Sequence, residues 1–179
     1  FPDQAITIEL WLRPQQETGN LPSILTFYDG FNPDIFLIGQ WKSHLVIRSR
    51  APDNKARKPG KDYQEIGARN VLLRNQDVFV TVTSNKQKTL IFVNGQRVKE
   101  YPYYRLLSGM TGGNIYLIVG NSPTGQGYWS GEVVGMAVYR RAFTLDEVMG
   151  NYLSWMNNDP YAIKKEKSLV GLYLFYERG

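Results

Sequence analysis

Few of the acids in this chain stand where they could act together. Glu9 and Glu132 are the carboxylates nearest to predicted strands, and each is alone, while Asp146 and Glu147 fall in a helix-capping motif. Hydrolysis of a glycosidic bond needs two carboxyl groups facing one another across a cleft, and no local spacing supplies them. The single histidine, His44, has no partner motif and reads as a polar position on a strand rather than a base or a ligand. Asp29, Asn32 and Asp34 in YDGFNPD would put three oxygens in one loop, which suggests a hard cation such as calcium. The same residue types serve turns for backbone reasons. That plainer reading is preferred, so no metal and no cofactor are expected. Cysteine is absent, which excludes a disulfide, a thiolate nucleophile and a zinc–thiolate centre.

Side chains suited to binding are more plentiful. Trp41, Tyr101, Tyr103, Tyr104, Tyr128 and Trp129 lie in or beside predicted loops, where a flat ring can stack on a sugar face or fill a core. For Trp41 and Tyr128 the two roles balance; the others are expected to pack. From Arg48 to Arg69 the cations Arg48, Arg50, Lys55, Arg57, Lys58, Lys61 and Arg69 face only Asp53, Asp62 and Glu65, and this tract carries most of the formal charge of +5. Pro52, Pro59 and Gly60 interrupt it, so it is predicted to be a long exposed loop. It would attract an anionic polymer or a membrane surface, or simply remain solvated. Nucleic acid is not expected, because no recognition motif accompanies the charge.

The elements that must carry these residues are mostly strands. Ala5 to Leu12 alternates, with Ile6, Ile8, Leu10 and Leu12 on one side and Thr7, Glu9 and Trp11 on the other. Ser23–Phe27, Ile35–Gly39, Leu45–Ser49, Tyr116–Val119 and Leu169–Tyr176 are further candidates. Val78–Thr83 and Thr89–Val93 read as a hairpin, and Asn94-Gly95 offers a type I′ turn into Gln96–Val98. Val133 to Tyr139 is another strand, interrupted by the small residues Gly135 and Ala137, which implies that something large crosses that face. A capping box follows, Thr144 with Glu147, with Phe143 and Val148 at the hydrophobic-staple positions. The helix it starts shows an apolar stripe of Leu145, Val148, Met149, Tyr152, Leu153 and Met156, and breaker residues Asn157 to Pro160 end it.

Composition fits one domain spanning residues 1–179, all-β, an antiparallel jelly-roll β-sandwich with one short helix in its C-terminal half. The hydrophobic fraction of 42% is too high for a disordered chain, and no apolar run is long enough to cross a membrane as a helix. The chain is expected to be a fragment of a longer protein, with any targeting segment outside it.

Three stretches together, AITIELWLRP, TLIFVNGQRV and YLIVGNSPTGQGYWSGEVVGMAVYRRAFTLDEV, resemble in their order the laminin G-like branch of the concanavalin A-like lectin/glucanase superfamily, which includes the pentraxins. The resemblance covers roughly positions 5 to 155 and implies two large curved antiparallel sheets. Relatives open with a strand like LVGLYLFYE, which here stands at Leu169 to Glu177; pairing of this segment within the fold is favoured over its starting another module. Glucanases of the superfamily carry E-x-D-x-x-E or E-x-D-x-E along one strand, and this chain has neither. The loop corresponding to the pentraxin calcium loop, Gly120 to Gly127, holds no acid, and Asn121 and Gln126 could offer it only neutral carbonyls. The expected function is a non-catalytic, extracytoplasmic binding module for a carbohydrate or a protein, with Trp41, Tyr128, Asn121 and Gln126 as ligand-binding candidates. The alternative is a structural or interaction domain of a larger membrane-associated protein with no small ligand. A glycoside hydrolase lacking the usual acid motif comes third.

Overall fold

A computed structural model describes residues 1, 4–30, 35–51, 62–110 and 113–175. The order is β1 (Ile6–Pro14), β2 (Ser23–Tyr28), β3 (Phe36–Trp41), β4 (His44–Arg50), β5 (Tyr63–Ala68), β6 (Val78–Ser84), β7 (Lys88–Val93), β8 (Gln96–Pro102), β9 (Tyr116–Val119), β10 (Gly131–Tyr139), α1 (Leu145–Met156), α2 (Pro160–Lys164) and β11 (Leu169–Leu174). The strands form a six-stranded sheet, β11-β10-β1-β6-β7-β8, and a five-stranded sheet, β5-β4-β3-β2-β9. The fold is therefore all-β, as predicted. Two compact units contain these sheets: Phe1–Arg13, Gln76–Arg105 and Glu132–Gly179 in the first, Pro14–Asn75 and Leu106–Gly131 in the second.

In the first unit β1 is buried on both faces. Ile6, Ile8, Leu10 and Leu12 alternate as predicted, but Thr7 and Glu9 on the other side are also fully buried. Their face is covered by the segment around α1: Thr7 Oγ1 donates to the Arg141 carbonyl at 2.8 Å and accepts the Phe143 N–H at 3.0 Å. The capping box forms as read, with Thr144 and Glu147 satisfying each other's backbone donors. Phe143 and Val148 join Phe79, Phe92, Tyr139 and Trp155 in one apolar cluster.

The buried face of α1 differs from the predicted stripe. Val148 and Trp155 are its buried residues, whereas Leu145, Met149, Leu153 and Met156 are exposed. Val148 and Trp155 stand two turns apart on one face, and the sheet selects that face because Gly135 leaves room for an indole. A Cβ at position 135 would come within 2.6 Å of the Trp155 ring. The large group inferred to cross Gly135 is this tryptophan.

Elsewhere local signals hold. Asn94 and Gly95 take φ of 50° and 78° and join β7 to β8. The breaker residues end α1 at a cap on Asn157, and Asp159 with Pro160 then starts α2. The strand at Leu169–Leu174 pairs antiparallel with β10, opposite Gly135 to Tyr139.

The second unit corrects one expectation. Part of the basic tract is not a loop: Tyr63–Ala68 is β5, paired residue by residue with β4, so that Arg48 lies opposite Glu65. An edge strand needs only one hydrogen-bonded neighbour and little apolar alternation, and the exposed half of YQEIGA shows none. The core of this unit gathers Ile24, Leu25, Ile35, Ile38, Leu45 and Ile47 around the stacked pair Phe27 and Phe36.

Candidate binding site

A candidate site lies in the second unit, between the segment leading into β2 and the Gly-rich loop after β9. A cleft of about 530 Å³ is lined by Gln16, Thr18, Asn20, Leu21 and Pro22 on one side and by Gly125, Gln126, Gly127, Tyr128 and Ser130 on the other. No carboxylate, lysine or arginine lines it. Tyr128 is 76% exposed, far more than packing would leave a tyrosine. The side chains of Gln16, Asn20, Gln126 and Ser130 and the Tyr128 hydroxyl make no hydrogen bond to other described residues. They present amides and hydroxyls around one aromatic face, the usual composition of a pocket for a small polar ligand.

The walls are held from beneath. Ser23 donates its N–H to the Gly127 carbonyl at 2.9 Å, and Trp129 donates its N–H to the Gly120 carbonyl at 2.9 Å. Gln40, fully buried in β3, ties three segments at once. Its Oε1 accepts the Trp129 indole N–H at 2.6 Å, and its Nε2 donates to the carbonyls of Gln16 at 2.8 Å and Lys42 at 2.6 Å. Every polar atom of that amide is used, which is what makes a buried amide tolerable and the loops around it fixed.

Of the predicted site residues, Tyr128 and Gln126 meet in the cleft. Trp41 is 43% exposed and stands beside it, one residue from a bridge between Thr18 and Lys42. Lys42 Nζ lies 4.8 Å from the Trp41 ring centroid and the His44 ring 5.6 Å from it. His44 sits on β4, and its Nδ1 accepts the Asn70 N–H at 3.1 Å. Asn121 is not in the lining; its Oδ1 accepts the Ser122 N–H at 2.8 Å and so shapes the loop. Trp129 and Tyr104 are buried, as expected of packing residues, but Tyr103 is 90% exposed at a φ of 66°, which turns it out of the chain after β8. Sequence reasoning missed Gln16, Thr18, Asn20 and Gln40. Only Gln40 carried a signal, an amide between Gly39 and Trp41 in an otherwise apolar strand.

Of the basic-patch candidates, Arg48 and Arg50 are among the described residues. Arg48 Nε bonds Glu65 Oε1 at 2.7 Å, and Arg50 lays its stem against Gly109. Lys55, Arg57, Lys58 and Lys61 lie outside the described residues, as do Asn32 and Asp34, which leaves Asp29 alone of the calcium candidates. Asp77 and Glu132 do converge in the first unit, but on a shared cation: Arg13 bonds Asp77 at 2.5 Å and Glu132 at 3.3 Å, all three exposed.

Among the described residues, Glu9 is the one deeply buried acid. Its Oε2 accepts the Tyr139 hydroxyl and the Trp155 indole N–H, each at 2.8 Å, while Oε1 has no partner among the described residues. Burial pushes its carboxyl above the ordinary range, against the pull of the Trp155, Tyr139 and Asn151 hydrogen bonds. Through these bonds Glu9 ties α1 to the sheet.

Comparison with known proteins bears on the family and the fold. The profile of a laminin G family, described as the concanavalin A-like lectin/glucanases superfamily, matches residues 1–149. No curated protein matches the sequence. Among solved structures, the carbohydrate-binding module CBM40 of the Ruminococcus gnavus IT-sialidase, bound to α2,3-sialyllactose, is 18% identical with a TM-score of 0.63 over 83% of this chain and 82% of that one. A presumed carbohydrate-binding protein from Bacteroides ovatus is 15% identical, TM-score 0.65, over 99% of this chain and 48% of that one. The binding domain of botulinum neurotoxin DC in complex with rat synaptotagmin II is 16% identical, TM-score 0.55, over 85% of this chain and 36% of that one. The chain thus spans less than half the length of the latter two. At these identities the likeness is one of fold, a concanavalin A-like β-sandwich.

Proposed function

Because this chain belongs to the concanavalin A-like lectin/glucanase superfamily, we propose that it is a non-catalytic module that binds carbohydrate at the Tyr128 cleft. The observation that carries the reading is the set of amides and hydroxyls of Gln16, Asn20, Gln126 and Ser130, unpartnered among the described residues, around an exposed tyrosine ring. A sugar offers an apolar ring face and a rim of hydroxyls, and this lining has a counterpart for both. Solved structures of the same fold include a module holding sialyllactose, which supports the reading without fixing the ligand. With no carboxylate in the lining, binding is expected to need no calcium. Such ligands are displayed outside the cytoplasm, where the module is proposed to work.

A second reading, recognition of a protein, draws on the exposed apolar face of α1 at Leu145, Met149, Leu153 and Met156. A glycan array probed with the wild type and with Tyr128→Ala, each with calcium and with a chelator, separates the two. Carbohydrate binding predicts signals that the substitution removes and the chelator does not. An array silent for the wild type would sink the carbohydrate reading and leave the protein one.

A further inference from the structure

Tyr128 is not the only ring available to a ligand in this region. Ser23 pairs with Gly39 of β3 on one side and with Tyr128 on the other. Residues paired across neighbouring strands share a face, and residues two apart along a strand share one too. Tyr128, Ser23, Gly39 and Trp41 are therefore on one face of the second unit. Their immediate neighbours Trp129 and Gln40 are on the opposite face, where the indole meets the amide at 2.6 Å. The burial pattern agrees, since Trp129 and Gln40 are buried while Tyr128 and Trp41 are exposed.

Two strand spacings across and two residue rises along separate the Cα atoms of Tyr128 and Trp41 by about 12 Å. That is longer than one sugar ring and within the span of a short chain of them. The segment between the two rings is the cleft wall itself: Leu21 and Pro22 lie over Gly39, whose missing Cβ would meet the Pro22 carbonyl at 2.7 Å, and Thr18 bridges to Lys42. Gln40 fixes both ends, through Gln16 and Lys42 on one side and Trp129 on the other. The two rings are thus held at a set separation.

We propose that the ligand is an extended oligosaccharide that lies on Tyr128 and Trp41 together, with an uncharged sugar at Tyr128, and not a single terminal sugar. This rests on the carbohydrate reading above and adds the length of the ligand and the role of Trp41. The second ring engages a ligand already tethered by the first, so its contribution appears as affinity that grows with chain length.

The test is titration calorimetry with neutral gluco-, manno- and xylo-oligosaccharides graded from mono- to hexasaccharide, alongside the array. For a series that binds, affinity is expected to rise roughly tenfold from the monosaccharide to the first chain that reaches both rings, then level off. Trp41→Ala should return the long chains to the monosaccharide level, while Trp41→Tyr, which keeps a ring, should restore part of the gain. Affinity that ignores chain length, with Trp41→Ala silent, would overturn the two-ring ligand and leave the Tyr128 cleft standing. Binding of charged glycans alone would overturn the uncharged sugar at Tyr128. No binding to any glycan on the array would remove the carbohydrate reading, and this inference with it.

Discussion

In each unit a buried polar side chain on a strand accepts a tryptophan indole N–H, yet the two arrangements do opposite things. In the first, Glu9 accepts from Trp155 and Tyr139 through one oxygen and leaves the other without a partner among the described residues. In the second, Gln40 accepts from Trp129 and donates to two carbonyls, with nothing left over. The carboxyl can gain or lose a proton, so the packing of α1 against its sheet is expected to vary with pH. The amide cannot, so this tie of the cleft walls is expected not to titrate. A titratable group serves a core where only stability is at stake; a neutral, fully bonded one serves where geometry must not vary.

The largest effect should come from the first unit. Trp155→Ala removes an indole from the core and opens the space above Gly135, and a loss of about 3–5 kcal/mol is expected from denaturant unfolding. Gln40→Leu comes next. It strands the Trp129 indole donor in the interior, for about 3 kcal/mol, and it should also abolish oligosaccharide binding, although Gln40 is not in the cleft lining. If binding survived at full strength in the folded variant, the amide would not be what positions the walls.

Glu9→Gln should change stability by only about 1 kcal/mol but alter its pH dependence. Burial raises the Glu9 carboxyl, so its contribution is fully present below the ordinary value of 4.5 and is lost as pH climbs through the raised one. The glutamine variant should lose that decline. Glu166 acts at the other end with the opposite sign. Hydrogen bonds from Arg141 hold it down to about 2, so its contribution is present above 4.5 and disappears as pH falls through 2. As far as these two groups decide, unfolding midpoints should peak in mildly acidic solution, and a profile in which Glu9→Gln matched the wild type at every pH would refute this role for the carboxyl. The smallest effect on stability is expected at Tyr128→Ala, within about 0.5 kcal/mol, with its consequence confined to binding.

What could be read from the residues alone follows the same division. The capping box, the Asn94-Gly95 turn and the small residues under Trp155 are local, so sequence displays them. The buried stripe of α1 was legible only in part: Val148 and Tyr152 pack on the core, but Leu145, Met149, Leu153 and Met156 are exposed, because periodicity gives a spacing and not which of several apolar faces a sheet will accept. β5 escaped notice because an edge strand needs pairing more than burial. Tyr128 and Gln126 were visible as an aromatic and an amide in a Gly-rich loop. Gln16, Thr18 and Asn20 look like any polar loop until the bridge to Lys42 brings them beside it.

The position of β1 also sets a timetable. It is the first strand in the chain, yet it lies between β6 and β10, and its pairing with β6 joins residues such as Ile6 and Ser84. The meander β6-β7-β8 can form from near neighbours, whereas β1 must wait for the far end of the chain before both its edges are satisfied. Folding should accordingly be slow for the chain's size. During synthesis the Ile6–Leu12 stretch emerges before either strand that flanks it, and its edges stay unpaired until β6 and β10 follow.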